Sequence, residues 1–177
     1  MPLTRRCSAA GCLLVLAACV AQPDRYAPPM QRKPMIGPEK SHLKHFIAMN
    51  DPYAEEHFIR DVRPLEAGYF RWTGQKPTLH FVLSSTRDLK FKADFSISSE
   101  TFQKTGPFHI DYYVNGRLLE RVLYDSPGEK RYEKAVPGEW LVKGGDTVVA
   151  MELDKIYLAE ADKVQLGVTL VRAGFQD

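Results

Sequence analysis

Cysteine is scarce in this chain and confined to one end. The 177 residues carry three, Cys7, Cys12 and Cys19. From residue 20 onward there is no disulfide, no thiol nucleophile and no thiolate to hold a metal, so any fold built there rests on its apolar core alone. An excess of one charge is missing too. Lys and Arg number 24 against 22 Asp and Glu, a net charge of +2, which gives no case for nucleic-acid binding. No apolar run reaches the roughly 20 residues that a transmembrane helix needs. The compact catalytic signatures are absent as well. There is no GxSxG elbow, no SxxK and no HExxH. Gly144-Gly145-Asp146 is too short for a phosphate loop and reads as a turn. None of the 22 acids is marked by its context as half of a glycosidase pair, and a small domain without groove-building insertions argues against hydrolysis. The expectation is a protein that is not an enzyme.

What remains is an ordinary globular composition, 44% hydrophobic and 26% charged. The length suits one domain with a tail. The tail comes first. Arg5 and Arg6 precede an apolar run from Ala9 to Ala18, followed by Cys19, which is secretory organisation. Leu16-Ala17-Ala18-Cys19 resembles the bacterial lipobox. In that family, small residues let the chain enter the signal peptidase, and the cysteine thiol accepts lipid before cleavage. The alternative, Ala9-Ala10-Gly11-Cys12, leaves almost no apolar run before its cysteine and places LLVLAA after it. The resemblance therefore implies residues 1–18 as a signal peptide and lipidation, with palmitate among the acyl chains, at Cys19. More than one acyl chain holds firmly to a bilayer. Val20 in place of an aspartate leans toward the periplasmic side of the outer membrane in a Gram-negative cell. Residues 19–40 hold five of the 12 prolines and no hydrophobic period, the composition of an extended tether.

The folded part is expected over 41–177. In 41–50, Leu43, Phe46 and Ile47 would share a helical face with Ser41 as cap, so a short helix or an irregular segment opens it. From about residue 57 the period changes to two. Phe91, Ala93, Phe95 and Ile97 alternate with Lys92, Asp94 and Ser96, and Phe108, Ile110, Tyr112 and Val114 alternate with His109, Asp111 and Tyr113. Asn115-Gly116 between two such runs is a hairpin signal, because a type I′ turn needs positive φ at both central residues. Thr147, Val149, Met151 and Leu153 make another alternating run, and Val164 to Leu170 the last. Eight or nine strands with one polar face each predict an all-β, antiparallel β-sandwich or jelly roll.

Two stretches carry a resemblance of fold. Phe108 to Arg117 (FHIDYYVNGR) and Glu139 to Leu153 (EWLVKGGDTVVAMEL) are similar to segments of the galactose-binding-like jelly rolls found in carbohydrate-binding modules and beside glycosidase domains. Arg71-Trp72-Thr73-Gly74 and Leu166-Gly167 look like motifs of β-sandwich domains in bacterial envelope proteins. The chain departs from the jelly-roll pattern at Asp146, where asparagine is usual, and shows no calcium-ligand run. The resemblance implies binding without catalysis, either to a glycan or to an envelope protein.

Sugars stack their C–H faces on exposed aromatic rings, while Asp, Asn and Arg take the hydroxyls. The candidates are Trp72, Tyr113 and Trp140, with Arg71, Asp111 and Asn115 near them in sequence. Tyr113 should face outward, since Tyr112 and Val114 should face in; the tryptophans are more often core anchors. Tyr157 is a further exposed-ring candidate. His42 and His45 would share a helical face, and His57 could approach them in a zinc-like group. Asp51, Glu55 and Glu56 could hold calcium. No motif supports either metal, and the expectation is no cofactor.

Overall fold

The computed structural model describes residues 41–161 and 163–177, so the signal segment, the tether and the lipidation site at Cys19 lie outside the described residues. Among the described residues there are eleven strands. They are β1 (Phe46–Ala48), β2 (Phe58–Glu66), β3 (Phe70–Val82), β4 (Lys90–Ile97), β5 (Phe108–Val114), β6 (Arg117–Tyr124), β7 (Gly128–Ala135), β8 (Asp146–Leu153), β9 (Tyr157–Leu158), β10 (Gln165–Leu166) and β11 (Thr169–Gln176). The short α-helix α1 (Ser99–Thr105) interrupts them. Nine strands form one antiparallel sheet in the order β6-β5-β8-β3-β11-β4-β7, with β1 added to β11 and β2 to β3; β9 and β10 form a separate small hairpin.

β3 explains how one sheet becomes two layers. Its first part pairs with β11, Arg71 with Leu170 and Trp72 with Thr169. Its second part, residues 78–82, pairs with β8. Gly74 and Pro77 lie between, and a proline has no N–H for a ladder. The sheet turns there, so β6-β5-β8 lies across from β11-β4-β7. The inner faces meet as alternation demands: Phe91, Ala93, Phe95 and Ile97 of β4, and Phe108, Ile110, Tyr112 and Val114 of β5, are all buried. Each large side chain enclosed in this way contributes about 2–3 kcal/mol. Tyr112 of β5 stacks on Tyr132 of β7 with ring centroids 3.6 Å apart, and Phe95 of β4 meets Tyr124 of β6 edge-on at 5.4 Å. The two ends of the sheet are thereby drawn together, and Lys134 of β7 bonds Glu120 of β6 at 2.9 Å across the same seam. Neighbours such as β5 and β8, or β4 and β7, are far apart in sequence. The fold is an antiparallel β-sandwich of the jelly-roll kind, as the alternation predicts.

One expectation needs correction. Residues 46–48 form a strand and not a helix, although Leu43, Phe46 and Ile47 have helical spacing. The open edge of β11 competes with the helix and wins. Gly174 in β11 lets β1 come close: a Cβ there would lie 2.4 Å from the His45 carbonyl oxygen. Through the bend, β3 runs unbroken from Phe70 to Val82. Strand ends at Ser98 lead into α1, where the Ser98 hydroxyl accepts from the Glu100 N–H. Seven residues leave too little periodicity to be seen beforehand.

Candidate functional site

The six residues nominated as a binding site do not converge. Arg71 and Trp72 are neighbours on β3 and so point to opposite faces. Arg71 is 5% exposed, its Nε donates to the Met49 carbonyl at 2.9 Å, and its guanidinium lies 5.0 Å from the Phe58 ring. Further bonds to Glu55 and the Arg63 carbonyl complete its surroundings. It fastens the segment before β2 to the sandwich and is closed to a ligand. Asn115 is a structural plug at the β5–β6 turn. Its φ is 47°, its amide donates to the Trp140 carbonyl at 2.6 Å, and its oxygen accepts from Val148 N–H at 2.8 Å. Trp140 sits half-buried against the core under the Arg117 guanidinium.

Tyr113 and Asp111 do face outward, on the β6-β5-β8 layer. The Lys76 ammonium lies 5.2 Å from the Tyr113 ring centroid and pairs with Glu152. Asp111 lies opposite both Arg121 and Glu152 and 3.5 Å from the Arg121 Nε. This face is a lattice of ion pairs in which the Tyr113 ring carries a cation. The histidines do not assemble either. His42 bonds Glu56 at 2.8 Å, His57 is buried with the His80 carbonyl as its partner, and among the described residues no group of His, Cys, Asp and Glu is placed to hold a metal.

The opposite outer face, over β11, β4 and β7, does gather chemistry. Strand register aligns two rows of side chains on it. Trp72, Thr169, Ser96 and Glu129 run across in one row, and Arg172, Asp94 and Arg131 in the next. The β2–β3 turn, with Ala67 and Gly68 both at positive φ, brings Tyr69 and Phe70 to the end of these rows. The result is a groove of about 680 Å³ lined by Tyr69, Phe70, Asp94, Ser96, Thr169 and Arg172, with Glu129, Lys130 and Arg131 along one side.

Its rim and floor differ in character. Tyr69 is 54% exposed and stands edge-on to Phe70 at 5.0 Å, and Phe70 is edge-on to Trp72 at 6.5 Å. On the floor, Asp94 accepts from the Nε of Arg131 at 3.2 Å and from the Nε of Arg172. Binding each guanidinium through Nε fixes its plane and leaves its terminal nitrogens for other acceptors. Thr169 donates to the Ser96 carbonyl at 3.1 Å. Such a site offers an aromatic face, hydroxyls, one shared carboxylate and oriented donors. Of the nominated residues only Trp72 belongs near it, and it supports Phe70 without lining the groove. Tyr69, Asp94, Arg131 and Arg172 escaped notice because they come from one turn and three separate strands, and only the strand register brings them together.

No protein-family model and no curated protein sequence matches the chain. Among solved structures it is similar to a family 35 carbohydrate binding module from an environmental isolate. The identity is 12% and the TM-score 0.46, over 68% of this chain and 87% of that one. It is also similar to a family 35 module from Clostridium thermocellum, at 12% identity and TM-score 0.41, over 69% and 92%. An acetyl xylan esterase from the rumen bacterium Butyrivibrio proteoclasticus aligns at 11% identity and TM-score 0.45, over 77% of this chain and 34% of the esterase. Likeness at this level does not bear on function, which is argued from the groove's own residues.

Proposed function

We propose that this protein is a non-catalytic binding protein of the bacterial cell envelope, held to a membrane by lipid on Cys19, and that it takes a glycan in the groove over β11, β4 and β7. The single observation that carries the binding reading is the pairing of the exposed Tyr69 ring with the Asp94–Arg131–Arg172 floor in one groove of about 680 Å³. That volume lies within the range of small-molecule sites, and its few polar groups are oriented by one another. A pyranose would lay its C–H face on Tyr69. Its hydroxyls would donate to Asp94 and accept from the arginines.

The test is a glycan-array and peptidoglycan pull-down followed by calorimetry. Tyr69→Ala and Asp94→Asn should each weaken binding about tenfold or more, the loss of one stacked ring or one charged hydrogen bond. Tyr113→Ala, on the other face, should bind normally. Folded protein with no saturable binding to any glycan would overturn the reading. Anchoring is tested separately: Cys19→Ala should lose the palmitate label and leave the membrane fraction. A second reading, docking of an envelope protein, is favoured by Leu118 and Leu123, both more than half exposed on β6 at the end of the sheet. In-cell crosslinking from positions 118 and 123 would capture that partner.

A further inference from the structure

We propose that His57 is an acid-sensitive latch on the segment that leads into the sandwich. Neutral, it holds residues 41–44 against the fold; protonated, it releases them. His57 has no solvent-exposed surface at all, and it packs against the Phe81 ring at 5.4 Å. Both of its ring nitrogens are spoken for. Nδ1 lies 2.8 Å from the His80 carbonyl oxygen. A carbonyl only accepts, so Nδ1 carries the hydrogen. Nε2 lies 3.3 Å from the backbone nitrogen of Lys44, whose N–H only donates, so Nε2 presents its lone pair. The surroundings thus specify one neutral tautomer. A proton taken from solvent onto Nε2 forms an N–H there, breaks the Lys44 bond and sets two donors against each other in a buried space.

The charged and titratable groups around the ring are few. Lys44 faces it from the segment, Asp51 and Glu56 from the turn before β2, and His80 from β3. His80 in turn has its other contacts to the Glu56 carbonyl and to Asp146 of β8. Burial and the charge of the His80 ring oppose a charged His57, whereas the bond to the His80 carbonyl, Asp51 and Glu56 favour it. Burial is the largest influence, and the His57 pKa lies below its ordinary value.

A group depressed in this way contributes stability that is complete above the unfolded histidine value, near 6.5, and is lost as pH falls below it. The other ties of residues 41–44 have exposed members: His42 pairs with Glu56 and stacks on Tyr53, and Lys44 pairs with Asp51, while the His45 carbonyl, which accepts from the Phe175 N–H, stays with β1. Pairs of that kind hold little by themselves. Loss of the buried latch therefore frees residues 41–44, while His45 and β1 stay fixed by the bond to Phe175 and by Ile47 in the core.

The test is amide hydrogen exchange of the ¹⁵N-labelled protein at pH 7.5 and pH 5.0, corrected for intrinsic rates, with the His57 ring followed by NMR. Protection of the Lys44 amide should fall at least tenfold at pH 5.0 while Phe95 and Met151 amides stay protected. His57→Phe should leave Lys44 equally unprotected at both values, and His42→Gln should keep the pH response. Should His57→Phe not fold, the wild-type ring titration decides alone. Lys44 protection that is the same at both pH values, or that persists after the His57 ring has titrated, would overturn the proposal. So would an unchanged pH response in folded His57→Phe.

Discussion

Replacing Gly174 by alanine should detach β1 from the sandwich. The added Cβ would lie 2.4 Å from the His45 carbonyl oxygen and 2.5 Å from the Phe46 Cα, and neither main-chain atom can swing aside. A φ of 144° is also ground that alanine avoids. On its other side β11 is paired with β4 along most of its length, so β1 is the partner that yields. Its departure exposes Ile47, now 2% exposed, at about 2 kcal/mol. It also breaks the main-chain bonds from Met49 N–H to the Val171 oxygen and from Phe175 N–H to the His45 oxygen. These contribute about 1 kcal/mol each. The expected cost is therefore about 3–4 kcal/mol, a large share of the roughly 5–15 kcal/mol that holds a domain together. Urea unfolding followed by tryptophan fluorescence would show it as a lower midpoint, and hydrogen exchange would show Ile47 unprotected at neutral pH. A loss under about 1 kcal/mol with Ile47 still protected would mean that β1 slides at no cost, and the close approach would explain nothing.

Phe95→Asp buries an unpaired charge between the layers and should unfold the protein; a normal thermal midpoint would show that the strand faces are misassigned. Asn115→Ala loses two hydrogen bonds and forces alanine into positive φ, costing about 2–3 kcal/mol in urea. Asn115→Gly keeps the turn and should cost less, so equal losses would count against the backbone part of the argument. Burial raises the phenol pKa values of Tyr112, Tyr124 and Tyr132 above their ordinary value. A raised value means stability that is full below about pH 10 and declines as pH rises past it. The urea midpoint should fall as pH rises past about 10, and absorbance at 295 nm should show Tyr112, Tyr124 and Tyr132 of the eight tyrosines ionising above the ordinary phenol range. Eight tyrosines titrating together in the folded protein would contradict that burial.

The period-two signal was strong wherever a strand has one wet face, and β4 and β5 follow it residue by residue. It failed where structure is decided between segments. Nothing within 41–50 announces that an edge of β11 and a glycine at 174 will turn a helical spacing into a strand. The bend of β3 depends on Gly74 and Pro77 meeting two different partners, which no local pattern encodes. The groove has the same difficulty. Asp94 read simply as a solvent-facing residue of an alternating strand, and Arg131 and Arg172 lie 37 and 78 positions away from it. Asn115 was visible for the right reason, the turn, and misjudged for its side chain, because an amide at a hairpin tip serves the neighbouring strand as readily as a ligand.

The antiparallel pairing of β1 with β11 has a consequence for how the chain could be re-threaded. Phe46 lies beside Gly174, and His45 is bonded to Phe175, so the route into the sandwich and the route out of it leave from one corner. A linker of a few residues from Asp177 back to Ser41 would close the loop without disturbing either layer. New ends could then be cut in the exposed turn at Ser126-Pro127, giving a circular permutant that keeps every strand whole.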